Sequence, residues 1–143
     1  MMRLSHFAGA LLAFSAFTQT AVAAGDDTVY QGLGGKAGIE KIVASFIPLI
    51  QADERIKESF KDSDMKNLKL RLEQQFCLLS GGPCEYKGKD MATIHDGLNV
   101  TNAQFNAITE DLFVAMEQNA VPSRVQMKLV ATLAPLQRAI VTK

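Results

Sequence analysis

Apolar residues in this chain recur every three or four positions, and this spacing constrains the fold more than any other feature of the sequence. Two such stripes are Ile39, Ile42, Val43, Phe46, Ile47 and Ile50, and then Met65, Leu68, Leu72, Phe76 and Leu79 after a possible N-cap at Asp64. Each stripe forms one face of a helix. No stretch alternates apolar and polar residues with the period of two that a half-buried strand shows. The sequence therefore predicts an all-α protein.

Turn and cap signals divide the chain into four substantial helices. A glycine-rich break over 32–35 precedes the first helix, and residues 81–90 (GGPCEYKGKD) predict a loop after the second. Thr101 and Gln104 match a capping box that begins the third helix. Pro122 suits the first turn of the fourth, and Pro48 and Pro135 should each mark a bend within a helix.

A shorter helix is expected between the loop and the third long helix. Met91, Ile94, His95 and Leu98 are spaced as one face of about two helical turns.

The first two dozen residues have the pattern of a secretory signal peptide. Arg3 is the only charged residue before Asp26, and the apolar run 7–17 is followed by small residues at 21–24. This run is well short of the roughly 20 apolar residues of a membrane-spanning helix, the alternative interpretation. We therefore expect residues 1–23 to be cleaved, residues 24–143 to form one domain, and the product to be periplasmic or secreted.

Charge excludes two classes of partner. The chain carries 15 Lys and Arg against 15 Asp and Glu, so it has neither the basic footprint of a nucleic-acid-binding protein nor a polybasic patch for a membrane surface. After cleavage we expect no membrane association.

The two cysteines, Cys77 and Cys84, flank the turn-forming sequence Ser80-Gly81-Gly82-Pro83. Export would place them where disulfides persist, so a bridge across this turn is expected. Zinc is the weaker interpretation, because two thiols at this spacing match no zinc template.

Removal of the signal peptide also removes His6, which leaves His95 as the single histidine. A lone histidine is usually a surface residue or a hydrogen-bonded part of a core. His95, however, follows a glycine-rich loop and shares its face with Met91, Ile94 and Leu98. Neutral imidazole in an apolar slot is a good axial ligand for haem iron. No nucleophile with a recognisable triad motif accompanies it.

These residues, taken in order along the chain, resemble the group I truncated haemoglobins. The resemblance implies a two-over-two helical sandwich with haem b between its layers and His95 as the proximal iron ligand. The matching positions are Tyr30-Gln31-Gly32-Leu33-Gly34-Gly35, Phe46, Asp53, Phe60, Met65, Gly81-Gly82-Pro83, Tyr86, Gly88, Met91, His95, Phe105 and Leu112.

The resemblance also implies haem contacts. Phe60 would pack on the porphyrin and Phe105 would close the pocket. The distal face would be lined by Leu68, Leu72 and Phe76, and the proximal side by Met91 and Ile94. Arg71 would reach a haem propionate, and the sixth site would be empty or hold water, Met65 or a lysine. Without the resemblance, the apolar members are simply core residues and Arg71 is solvated.

One departure from the family bears on ligand choice. Oxygen-avid members carry a tyrosine and a glutamine on the distal side, where this chain has Ile47 and Leu72, and neither side chain can donate a hydrogen bond. Losing two such bonds costs on the order of 2 to 4 kcal/mol. We therefore expect weak or fast-dissociating oxygen and better tolerance of CO and NO, unless Gln74 or Gln75 swings in to compensate.

Three functions follow in order of preference. The first is a haem protein that binds a diatomic gas. The second uses the same iron for NO dioxygenation, peroxide or redox chemistry with an unidentified redox partner. The third is a haem-free helical interaction protein. We expect a monomer or a weak homodimer.

Overall fold

The computed structural model describes residues 28–143, so the predicted signal peptide over residues 1–23 and His6 lie outside the described residues. This part of the chain is helical and contains no strand. Its helices are α1 (Thr28–Gly32), α2 (Gly35–Ala52), α3 (Lys57–Phe60), α4 (Met65–Leu79), α5 (Met91–His95), α6 (Asn102–Gln118), α7 (Ser123–Leu133), a 3₁₀ helix (Ala134–Leu136) and α8 (Gln137–Ile140).

The four long helices form two layers around one core. Helix α2 packs against both α4 and α6, while α7 packs against α4 and α6. The predicted two-over-two helical sandwich is thereby confirmed. Among the described residues, the largest fully buried side chains are Ile39, Ile42, Val43, Ile50, Met116 and Leu129, and all of them lie on the long helices.

Two helix starts are fixed by the predicted cap residues. The Asp64 carboxylate accepts a hydrogen bond from the Asn67 backbone N–H at 3.0 Å. Thr101 and Gln104 form a reciprocal capping box at the start of α6. Each cap satisfies backbone donors that have no partner within the helix.

Glycine permits the sharp corner between α1 and α2. Gly34 has a φ of 88°, in the left-handed region that residues with a Cβ avoid. A Cβ on Gly38 would lie 1.9 Å from the carbonyl oxygen of Leu33. The close approach of α1 and α2 therefore depends on a glycine at position 38.

The structure departs from the predicted helices at α1, α3 and α5. Helices α1 and α3 were not predicted. Helix α5 ends at His95 instead of making two turns, and Leu98 lies beyond it with 56% of its surface exposed. The bend predicted at Pro135 coincides with the 3₁₀ segment that interrupts the fourth helix, and α2 contains Pro48 and continues to Ala52.

Two further observations concern the covalent chain and membranes. Cys77 and Cys84 are joined as a disulfide with a Cα–Cα distance of 5.8 Å. Within residues 28–143, no helix combines the length and apolarity needed to span a bilayer.

Candidate functional site

An apolar cavity lies between the two layers of the sandwich. Its walls come from every helix between α2 and α8 and from the loop before α5. The lining residues are Phe46, Phe60, Leu68, Arg71, Leu72, Gln75, Phe76, Tyr86, Met91, Ile94, His95, Phe105, Ile108, Thr109, Leu112, Leu133, Leu136 and Ile140.

The cavity brings together all but one of the residues that the sequence assigned to cofactor binding. Phe60, Leu68, Arg71, Leu72, Phe76, Met91, Ile94, His95 and Phe105 line it. Met65 does not: it lies at the start of α4 in a separate surface depression beside Lys57 and Lys61. Because α4 begins at Met65, this side chain precedes the stretch of helix that forms the cavity wall.

His95 stands half-buried at the carboxyl end of α5, and one hydrogen bond sets its chemistry. Its Nδ1 is 2.8 Å from the carbonyl oxygen of Met91. A carbonyl oxygen only accepts, so Nδ1 carries a proton, and in the tautomer that this bond selects the lone pair is on Nε2. Within residues 28–143, Nε2 has no hydrogen-bond partner. His95 therefore offers an imidazole nitrogen, Nε2, as a possible metal ligand in the cavity wall.

A local cap holds α5 in place. The Asp90 carboxylate accepts hydrogen bonds from the Thr93 backbone N–H at 2.9 Å and the Thr93 hydroxyl at 2.7 Å. These bonds lower the pKa of Asp90, so the cap is ionised and strongest near neutral pH. Because α5 has only five residues, this cap and its packing against α8 fix the direction of the His95 ring.

The polar side chains of the cavity wall are engaged with nearby groups. The Thr109 hydroxyl donates to the Phe105 carbonyl at 2.8 Å, and the Tyr86 hydroxyl donates to the Lys89 carbonyl at 3.0 Å. Burial raises the pKa of Tyr86, with the charge of Arg71 opposing the shift, so Tyr86 is a neutral donor at physiological pH. The interior of the cavity is consequently apolar.

Two further donors lie on α4. Arg71 donates through Nη1 to the Gln74 side-chain oxygen at 3.0 Å. Gln75 donates through Nε2 to the Met91 sulfur at 3.4 Å. Of the two glutamines that the sequence offered as compensating donors, Gln75 lines the cavity and Gln74 does not.

Of the two distal positions that the sequence identified, Ile47 and Leu72, only one lines the cavity. Leu72 lines the cavity. Ile47 is half-buried against the hydrophobic core and is absent from the cavity wall, whereas its neighbour Phe46 lines the cavity. The Phe46 ring packs against Phe76 with ring centroids 6.3 Å apart. The wall at this point is thus aromatic and aliphatic.

Sequence reasoning assigned no site role to several of the wall residues. Tyr86 lies in the loop between α4 and α5, and only its match to the family pattern drew attention to it. Leu133, Leu136 and Ile140 lie at the end of α7, in the 3₁₀ helix and in α8, where their helical spacing is that of ordinary core residues. Nothing in their spacing separates a cavity wall from a core face.

The residues present fit a porphyrin with a central iron. Such a group needs a neutral nitrogen ligand, extended apolar walls and a cation near its carboxylates. His95, the leucine and phenylalanine walls, and Arg71 supply these three features. In contrast, the part of the chain that the structure describes holds no cluster of three or more His, Cys, Asp or Glu side chains that would bind a bare metal ion.

The sequence of this chain is similar to those of known haemoglobins. Residues 28–142 match the model of the bacterial-like globin family. The chain is 37% identical over 98 residues to a group 1 truncated haemoglobin of Tetrahymena thermophila, which covers 68% of this chain and 81% of that protein.

Solved structures of truncated haemoglobins are also similar to this chain. The crystal structure of the truncated haemoglobin of Tetrahymena pyriformis in its Fe(III) form is 31% identical, with a TM-score of 0.78 over 80% of this chain and 98% of that one. The 2/2 haemoglobin of a Synechococcus species, 24% identical, has a TM-score of 0.73 over 80% of this chain and 98% of that one, which supports the fold.

Proposed function

Since this chain belongs to the bacterial-like globin family, as a group 1 truncated haemoglobin with haem b as its cofactor, we propose that His95 holds the haem iron and that a diatomic gas binds on the opposite, apolar face. Haem supplies an iron centre that exchanges such gases. The protein chain supplies the ligand, the walls and the exclusion of water.

The observation that carries this proposal is the hydrogen bond between His95 and the Met91 carbonyl. It directs the proton to Nδ1 and leaves Nε2 as a lone-pair donor. A carbonyl is a weaker acceptor than a carboxylate, so this hydrogen bond gives the ring little imidazolate character. His95 would accordingly bind the iron without becoming an imidazolate.

The character of the distal wall supports a preference among gases. Leu68, Leu72 and Phe46 present only hydrocarbon to the cavity. Dioxygen gains charge on binding and needs a hydrogen-bond donor to be retained, whereas CO and NO depend less on one. We propose weak or rapidly dissociating oxygen and comparatively strong CO and NO binding.

The position of Met65 narrows the choice of sixth ligand. Met65 lies outside the cavity, and no lysine is among the described residues that line it. We propose that no side chain competes with the gas, so the sixth site holds water or is open.

The same proposal includes the compartment. We propose export because the charged start, apolar run and small residues over 1–24 have the pattern of a signal peptide, and the Cys77–Cys84 disulfide is compatible with an oxidising compartment. Detection of the processed chain in a periplasmic or extracellular fraction would test this part.

Hemin titration of residues 24–143 tests the haem site. The unaltered protein should develop a Soret band, and His95→Ala should lose or shift it. Asp96→Ala, at the exposed neighbouring position, is the matched control and should behave as the unaltered protein. If His95→Ala binds hemin with an unchanged ferrous spectrum, His95 is not the iron ligand.

Gas binding is tested next on the ferrous protein. Oxygen dissociation should be fast, and CO should displace oxygen readily. Slow oxygen dissociation that survives Gln75→Leu would contradict the apolar-wall proposal. Peroxidase and NO-consumption assays on the same samples distinguish a gas-binding protein from an enzyme.

A further inference from the structure

The Cys77–Cys84 disulfide joins two parts of the cavity wall. Cys77 lies on α4, next to the wall residue Phe76, and is 2% exposed. Cys84 is half-buried in the loop between α4 and α5, two residues before the wall residue Tyr86. The disulfide thus crosslinks the helix that bears Leu72 to the loop that bears Tyr86.

Few other bonds hold this loop to α4. The Lys87 backbone N–H donates to the Gln74 side-chain oxygen at 3.2 Å, and that oxygen is shared with Arg71. The Tyr86 hydroxyl bonds to Lys89, within the loop itself. Among the described residues, the disulfide is the only covalent attachment of residues 83–90 outside the continuous chain.

The turn before the loop has anchors of its own. The Tyr30 backbone N–H donates to the Ser80 carbonyl at 3.0 Å, and the Gly82 N–H donates to the Cys77 carbonyl at 2.8 Å. A Cβ on Gly82 would lie 2.5 Å from the Tyr30 ring, so this turn is tightly packed. Loss of the disulfide would therefore loosen the chain from residue 83 onward and leave residues 80–82 in place.

We propose that the Cys77–Cys84 disulfide is a redox-sensitive clasp that keeps the Tyr86 wall closed and so slows the loss of haem from the cavity. This inference rests on the haem site of the proposed function. Reduction leaves the loop attached through the weak Lys87 bond, and Tyr86 moves away from the cavity more often.

The sulfurs can be reached without passing through the haem cavity. Cys77 and Cys84 line a depression on another face of α4, together with Lys36, Glu40 and Glu73. A thiolate of a dithiol reductant attacks Sγ of Cys84, which is the more exposed of the two residues, and Cys77 leaves as a thiolate that takes up a proton. The second thiol of the reductant then displaces Cys84, so the clasp gains two electrons and two protons and the reductant becomes a disulfide.

The increase in the rate of haem loss on reduction has an upper bound. The disulfide closes a ring of eight residues, 77–84. The entropy of closing such a ring corresponds to a factor of roughly 60 in an equilibrium constant. Reduction should therefore speed haem loss by several-fold, and by no more than about 60-fold.

Haem transfer and limited proteolysis test the clasp together. Transfer of haem to an excess of apomyoglobin is measured with oxidised protein, with protein reduced by dithiothreitol, and with the double variant Cys77→Ala, Cys84→Ala in both conditions. The haem-free samples are digested with trypsin, and cleavage after Lys87 and Lys89, in the loop, is compared with cleavage after Arg124, at the exposed start of α7. Thiol titration follows the redox state.

If the clasp proposal is right, haem loss and loop cleavage are faster in the reduced protein and in the double variant than in the oxidised protein. Cleavage after Arg124 is unchanged, and dithiothreitol has no effect on the double variant. Equal haem-loss and loop-cleavage rates in oxidised and reduced protein would overturn the proposal, as would two free thiols in protein that has not been reduced. Failure of oxidised protein to bind hemin at all would overturn the proposed function and this inference with it, whereas haem binding that is insensitive to reduction overturns the clasp alone.

Discussion

Substitution of Leu72 by glutamine tests directly how the cavity selects its ligand. Leu72 lies on α4, half-buried, with its side chain in the cavity wall. Glutamine has a similar length and adds two N–H donors to a wall that is otherwise hydrocarbon at this point. A dioxygen ligand, which carries partial negative charge, would accept a hydrogen bond from it.

The expected slowing of oxygen dissociation in Leu72→Gln follows from the free energy of one charge-assisted hydrogen bond. Such a bond contributes about 1.5 to 3 kcal/mol, which corresponds to a roughly 10- to 150-fold slower dissociation of oxygen. CO carries little charge, so its dissociation should change much less. Burying the amide costs about 1 to 3 kcal/mol of folding stability, so the variant should unfold at a lower urea concentration.

The assay is stopped-flow displacement of oxygen by CO in the ferrous protein. Leu72→Met is the matched control, because methionine is unbranched like glutamine, has a volume close to that of leucine and carries no N–H donor. The reasoning would be refuted if Leu72→Gln and Leu72→Met released oxygen at the same rate, or if Leu72→Gln slowed CO and oxygen release equally.

Three further predictions concern folding stability. Burial, together with the neighbouring Asp53 charge, raises the pKa of Asp111 above its ordinary 3.8, so ionised Asp111 costs stability above that pH and the cost disappears as the group is protonated. Asp111→Asn should therefore raise the free energy of unfolding at pH 7 relative to the unaltered protein, and this gain in stability should shrink as the pH approaches about 4. Urea titrations at pH 7 and at about pH 4 check this prediction. An equal gain in stability at both pH values would contradict it. Thr101→Ala removes the cap of α6 and should cost about 1 kcal/mol in the same titration, while Thr132→Ala, whose hydroxyl bonds within α7, should cost less. Gly38→Ala brings a Cβ against the Leu33 carbonyl and should lower the melting temperature, although alanine normally stabilises a helix interior by about 1 kcal/mol over glycine.

The long helices could be predicted because their signals are local. The Asp64 cap and the Thr101–Gln104 capping box depend on residues within one turn of each other, and both form as expected. Helix α3 has only four residues, Lys57–Phe60, which is too short for a periodic pattern to emerge. The shortened α5 follows from Asp96 and Gly97, where an extended ψ of 131° and then a positive φ of 74° end the helix.

The candidate site could be predicted only in part. The apolar face around His95 indicates a candidate ligand, and the family pattern points to His95 and the α4 wall as haem contacts. The tautomer of His95 depends on a carbonyl that comes within reach only once α5 has formed. Met65 and Ile47 share apolar stripes with cavity residues, but the start of α4 and the orientation of α2 place both outside the wall. Spacing along a helix gives the face of a residue and not its depth.

The core and the cavity share walls, which explains why periodicity could not separate them. Phe46, Phe76 and Leu112 are each 2% or 3% exposed and belong to the hydrophobic core cluster, yet each also lines the cavity. Every such side chain has one surface against neighbouring helices and another towards the cavity. Truncation of Phe76 would therefore enlarge an existing cavity instead of opening an isolated void, and the loss of stability would be accompanied by altered ligand kinetics. Under the proposed function, packing and gas selectivity depend on the same residues, so a core substitution is also a substitution in the binding site.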